Sequence, residues 1–381
     1  MSRALEDRLV HRLDARRRAG LERTMPLPER RTGVCYELAG RSVVGFCSND
    51  YLGLASLQTA ADLPPTTPAG STASRLICGD SPEHRALEGR LARLVGCDDA
   101  LLFASGFAAS VGAIPALIEP DDRVFSDVHN HASLIDGLRL AKARAELLAH
   151  GMTPPPRPAG PGLTWWVCEA IYSMDGDRCP IDGIRSHLAD GGLVYLDEAH
   201  ALGLFPGGSG LARARGLRPT VVVGTLGKAL GCAGAFVAGS ATTCAWLRGI
   251  ARSHVFSTGL SPLLVAAIDR AVTLVSGPEG DRRRARLWAN VTRAGELLGR
   301  RLSSPIVPIH VGDNHLAVAV SDALLARGWH VQAIRPPTVP PGTARLRLSL
   351  SADHTVEQLT ALVADLDDVL TTFGRRLRQA S

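Results

Sequence analysis

Short, mostly apolar runs recur through the middle of the chain, at 100–103, 123–126, 164–169, 193–196, 220–223 and 235–238. Between them the apolar positions fall at helical spacing, over 83–95, 106–117 and 132–144. A half-exposed strand would alternate polar and apolar residues. Continuous apolar runs alternating with helices instead predict a mostly parallel sheet buried on both faces. The expected fold class is therefore α/β, with helices on both faces of one large sheet. A smaller α/β pattern runs from 305 to the end, after an Arg-rich helical stretch that begins near 280. At the other end, 4–24 is charged and helical in pattern, with Leu5, Leu9, Leu13 and Leu21 along one face. Two stretches read as loops: 58–70, rich in Pro, Thr and Ala, and 151–162, rich in Pro and Gly. The expected division is an N-terminal helical arm (1–45), a large domain (46–278) and a small C-terminal domain (279–381). The 381 residues are enough for it.

Charge narrows the function classes. Lys plus Arg is 42 and Asp plus Glu is 37, a formal charge of +5. That balance argues against nucleic acid as a partner. Two stretches, 100–118 and 229–247, carry no charge. Gly and Pro interrupt the first and Gly the second, so they read as buried α/β segments rather than membrane spans. The first residues include Glu6 and Asp7 and no apolar block, unlike a secretory leader, and a cytoplasmic location is expected. None of the eight cysteines stands in a C-x-x-C pair, which removes the zinc-ribbon and thioredoxin patterns.

In open parallel sheets ligands bind beyond the carboxyl ends of the strands. Polar residues gather there. Ser105, Gly106 and Phe107 follow the first run; His129 and His131 the second; Glu169 and Ser173 the third; Asp197 and His200 the fourth; Thr225 and Lys228 the fifth. A metal pair at Asp197 and His200, completed by His129 or His131, is one arrangement, that of a hydrolase. Lys228 points elsewhere. It sits in a glycine-dense, otherwise uncharged segment, and an unpaired buried ammonium is costly. A desolvated lysine has a lowered pKa and is nucleophilic, which suits Schiff-base chemistry. Ser105-Gly106 ahead of a helix offers amides to a phosphate. A lysine, a strand-end aspartate, a phosphate turn and a histidine together suit pyridoxal 5'-phosphate (PLP), with no metal.

The motifs also carry a resemblance. The segments are Ser48-Asn49-Asp50-Tyr51-Leu52-Gly53-Leu54, Ser74-Arg75, Ser105-Gly106-Phe107, His131-Ala132-Ser133-Leu134, Asp197-Glu198-Ala199-His200, Thr225-Leu226-Gly227-Lys228 and Ser257-Thr258. Nearly end to end, they resemble the α-oxoamine synthases. These are fold-type I PLP-dependent transferases that condense an amino acid with an acyl thioester and lose carbon dioxide. The resemblance implies Lys228 as the lysine that carries the cofactor and moves the α-proton, and Asp197 as partner of the ring nitrogen. It implies His200 at the phenolic oxygen, His131 stacked on the ring, and Ser173 as a further cofactor contact. Ser105, Gly106, Phe107 and Thr225 would hold the phosphate. Ser257 and Thr258 would reach the phosphate of the neighbouring subunit in a homodimer with a shared active site.

Asn49 and Arg347 are implied as the clamp for the substrate carboxylate, with Arg345 on the same strand face as the other choice. Arg23 is implied as a contact for the far carboxylate of a dicarboxylic acyl chain. The run 334–348 looks most like the biotin-pathway member, which joins L-alanine to pimeloyl-CoA or pimeloyl carrier protein. The segments 130–137 and 77–79 also resemble the members that use glycine. A non-catalytic homologue is the reading from a different class. The chain departs from the family pattern in the segment 56–69, in Gly70-Ser71-Thr72-Ala73-Ser74-Arg75 where more glycine is usual, and at Ser110.

Overall fold

The computed structural model describes residues 3–58, 64, 67–156 and 162–377. Parts of both expected loops, 59–63, 65–66 and 157–161, lie outside the described residues. The chain forms two compact units. One comprises 52–173 and 177–285. The other comprises 1–51, 174–176 and 286–381.

The first unit is built on a seven-stranded sheet. Across it the strands run Asp99–Phe103, Ala235–Gly239, Val221–Thr225, Leu193–Asp197, Thr164–Glu169, Arg123–Asp127 and Ala145–Leu148. All run in the same direction except Ala235–Gly239, which is antiparallel to both its neighbours. Six of these strands are buried along most or all of their length (Ala235–Gly239 wholly, Leu193–Asp197 from its second residue on). That is why they read as unbroken apolar runs. Leu101, Ile114, Leu134, Val167, Tyr195 and Val223 pack in one core cluster. The uncharged stretch 100–118 is a strand followed by the helix Gly106–Leu117. Among the described residues no helix is long and apolar enough to cross a membrane.

In the second unit, Pro28–Thr32, Cys35–Leu38 and Arg41–Gly45 form an antiparallel meander, which Trp329–His330 extends in parallel. A separate three-stranded sheet places Ala344–Ser349 between Ile306–Gly312 and Gln332–Ile334. The N-terminal helix is Arg3–Arg18. It stops short of the expected residue 24, because Gly20 takes a left-handed backbone (φ +64°) that turns the chain. Leu5, Leu9 and Leu13 lie exposed on the helix, and Leu21 falls beyond it.

His354 is buried in the second unit and stacked on Phe46, with ring centroids 3.8 Å apart. Its Nδ1 accepts the Ser351 N–H (2.9 Å), so Nε2 donates to the Gly45 carbonyl (3.0 Å) and the ring is neutral. Burial pushes its pKa down to about 4. The folded pKa lies below the unfolded value of about 6.5, so this contribution is complete above that pH and is lost as pH falls toward 4. We expect urea denaturation to show a loss of about 2 kcal/mol from this group between pH 7 and pH 5. The same loss in His354→Gln would assign it elsewhere.

Candidate active site

Their common direction brings the carboxyl ends of five strands to one rim. Each delivers a residue that the sequence marked. Beyond Asp99–Phe103, the Ser105 Oγ caps the helix Gly106–Leu117 by accepting the Ala108 N–H (3.1 Å). The first N–H groups of a helix have no carbonyl partner inside it and face a partial positive charge outward. A Cβ on Gly106 would lie 2.5 Å from the Thr225 Cγ2. Only glycine lets this turn close against Thr225, so the helix start and the Thr225 strand end form one small cradle.

Beyond Arg123–Asp127, His131 caps the helix Ala132–Ala141. Its Nδ1 accepts the Ser133 N–H (3.3 Å), which leaves the proton on Nε2. Its pKa is lowered by burial first; Asp197 opposes that and Lys228 reinforces it. Asp197 ends its strand buried, with Oδ1 accepting the Ala199 N–H (2.8 Å). His200 and Ser173 are buried, and Lys228 is half-buried in the turn after Val221–Thr225.

Glu169 lies beneath this group, fully buried. Burial raises its carboxyl well above the usual range, and Asp197 adds to the rise. Lys228 and the main-chain N–H groups of His131 and Ser173 only partly offset it. Glu169 is thus biased toward its protonated form. The charges of Asp197 and Lys228 act on both His131 and Glu169, which sets these four side chains in one electrostatic neighbourhood. Ser257 and Thr258 line a small hollow with Arg75 and Ala104, and Thr258 bridges to Ser74. Arg75 itself is tied to Glu88 and Asp80. Thr72, in the glycine-poor segment, has φ +61°, a conformation that costs a β-branched residue about 1–3 kcal/mol.

The remaining marked residues belong to the other unit. Arg347 is buried and donates to Asn49 Oδ1 (3.1 Å) and Ser349 Oγ (2.8 Å). Arg345, on the same strand face, is paired with Asp175. Arg23 donates to Thr338 Oγ1 (3.0 Å) at a cavity of about 380 Å³. Leu325, Ala333 and Ile334 contribute apolar wall to it, and Arg335 and Asp322 contribute charge. Sequence reasoning did not mark Arg335. Its guanidinium takes the carbonyls of Gly20 (2.5 Å) and Glu22 (3.0 Å), while Arg16 takes that of Leu21 (2.9 Å). Three successive carbonyls ahead of Arg23 are therefore fixed by guanidinium groups. No local signal links residues more than 300 positions apart.

The donor set on the rim fits PLP: amides and a hydroxyl in a cradle for phosphate, an amine, and a buried carboxylate suited to a ring nitrogen. That combination defines a fold-type I PLP-dependent enzyme. The aminotransferase class I and II family model matches residues 41–366. Serine palmitoyltransferase from S. paucimobilis, solved with bound PLP–myriocin, has the same fold. The TM-score is 0.87 at 24% identity over 98% of this chain and 99% of that one. The Sphingomonas wittichii serine palmitoyltransferase gives 0.86 at 27%, over 97% and 98%.

Curated relatives are nearer. The 8-amino-7-oxononanoate synthase of Anaeromyxobacter dehalogenans (strain 2CP-1 / ATCC BAA-258) is 43% identical, with 97% of each chain covered. That of Alkalilimnicola ehrlichii is also 43% identical, with 96% of this chain and 98% of the relative covered. The chain belongs to the 8-amino-7-oxononanoate synthase family of the α-oxoamine synthases, and is a PLP-dependent acyltransferase.

The upward shift of the Glu169 carboxyl predicts that Glu169→Gln keeps cofactor binding close to wild type at pH 7. A cofactor titration showing a loss of tenfold or more, on the order of 1.4 kcal/mol, would mean the carboxyl is ionised there.

Proposed function

We propose that this enzyme condenses L-alanine with pimeloyl-CoA or pimeloyl carrier protein. The products are 8-amino-7-oxononanoate, carbon dioxide and free thiol, a step of biotin biosynthesis in the cytoplasm. The observation that carries the choice of acyl chain is the cavity at Arg23. Its apolar wall suits a methylene chain, and the Arg23 guanidinium suits a terminal carboxylate. Full-length identity of 38–44% to curated 8-amino-7-oxononanoate synthases supports the same reading.

Bound PLP holds the amino acid's nitrogen and takes up the electron pair left at its α-carbon. The chain's residues make that productive. Ser105, Gly106, Phe107 and Thr225 hold the phosphate. Asp197 keeps the ring nitrogen protonated, and His200 donates to the phenolic oxygen. Ser173 supports the cofactor from the neighbouring loop. His131, with its proton on Nε2, would stack on the ring. Lys228 anchors the cofactor, then withdraws the α-proton of alanine and returns a proton after carbon dioxide leaves. Asn49 and Arg347 grip alanine's carboxylate. Arg347 suits this better than Arg345, because Asp175 already neutralises Arg345. Ser257 and Thr258 complete the phosphate site of the partner in a homodimer.

Thiol release from pimeloyl-CoA, with alanine, glycine or serine supplied in turn, tests the reaction. Release is expected with alanine and none from Lys228→Ala. Release only with glycine would move the chain to the glycine-using members. For the acyl chain, Arg23→Ala should raise KM for pimeloyl-CoA about 10- to 100-fold, the worth of a hydrogen bond to a charged group. KM for alanine should hold. Equal changes in both KM values would remove Arg23 from acyl recognition.

A further inference from the structure

His150 stands in the turn after the edge strand Ala145–Leu148, and both of its ring nitrogens face carboxylates. Nδ1 lies 3.0 Å from Asp127 Oδ1, and Nε2 lies 2.9 Å from Asp177 Oδ2. An ionised carboxylate only accepts, so both nitrogens donate and the ring is an imidazolium. The ring stacks on His129, with centroids 4.2 Å apart, and meets the edge of Tyr172 at 4.5 Å. With both N–H groups committed, His150 has no proton to exchange with a substrate.

Its two partners hold the two rim loops that carry His131 and Ser173. Asp127 is 2% exposed, and the same carboxylate accepts the main-chain N–H groups of His129 (2.7 Å) and Gly151 (3.0 Å). That bond folds the chain into the turn that ends at His131. Asn130 braces the turn by donating to Ser126 Oγ (2.9 Å) and the Val167 carbonyl (2.8 Å). Asp177 closes the other loop, where its carbonyl accepts the Tyr172 N–H (3.0 Å), one residue before Ser173. One cation therefore neutralises a buried carboxylate, which would otherwise be costly to keep, and joins both loops.

We propose that His150 is a positioning residue: an imidazolium clamp that fixes the loop of His131 against the loop of Ser173, and so sets cofactor affinity. The proposal rests on reading His131 and Ser173 as residues that face the cofactor. PLP titration of apo protein, followed by absorbance, tests it in His150→Gln, His131→Ala and the double variant, each checked for fold by circular dichroism. His131→Ala and His150→Gln should each weaken PLP binding roughly tenfold or more. The loss in the double variant should fall short of the sum of the two single losses, since part of the effect of His150 passes through the His131 side chain. If His131→Ala weakens binding and a folded His150→Gln does not, the clamp is overturned. Fully additive losses would also overturn it. If His131→Ala itself binds normally, the reading of His131 fails and the clamp falls with it. Should His150→Gln not fold, Asp177→Asn at the more exposed end of the clamp decides: weakened binding supports the clamp, and wild-type affinity overturns it.

Discussion

A sheet of parallel strands covered on both faces has nowhere to put ionisable chemistry except its ends. Every residue of Thr164–Glu169 is buried, and Leu193–Asp197 is buried from its second residue on. The edge where the carboxyl ends emerge is thus where the chain can turn, expose amides and hold charge. The phosphate cradle, His131, Asp197 and Lys228 all follow from that constraint. So does the antiparallel placement of Ala235–Gly239, which enters the sheet at the same edge, facing Thr225 and Phe103. It carries no ionisable residue there.

Crowding acids at a buried edge has an electrostatic cost, and the structure limits it by keeping some of them neutral. Burial raises Glu169, and raises Glu198 to about 7. Glu198 is further fixed by the Ala212 N–H (2.7 Å). A protonated Glu169 removes a negative charge that would compete with Asp197 for the same cation. The main-chain N–H groups of His131 and Ser173 act on the same carboxyl. The negative charge at the rim is thereby concentrated where a ring nitrogen would need it.

The buried strands were legible because burial on both faces writes itself as an unbroken apolar run. Lys228 was legible because a charge in such surroundings is costly unless used. Ala145–Leu148 was not: it is an edge strand, partly exposed, and it carries Glu146. A short half-polar segment after a helix looks like the helix continuing. The end of the first helix was missed because Gly20 acts through its backbone angle, which apolar spacing does not encode. The network of Asp127, His150 and Asp177, and the fixing of the Arg23 turn by Arg335, join residues distant in sequence. Each alone looks like an ordinary surface charge. Sequence supplies the chemistry on offer at each strand end; only the fold shows which groups are already spent on one another.

Strand order also governs how the chain emerges from the ribosome. Among the described residues Asp99–Phe103 pairs only with Ala235–Gly239, which appears about 130 residues later. At about 5–20 residues per second, that strand waits roughly 7–26 s with open hydrogen-bonding edges. The second unit waits longer, because it needs both 1–51 and 286–381. A nascent chain of this design carries unpaired apolar strand for most of its synthesis. It is therefore a natural client for chaperones that shield such edges, and truncated products should aggregate rather than fold in part.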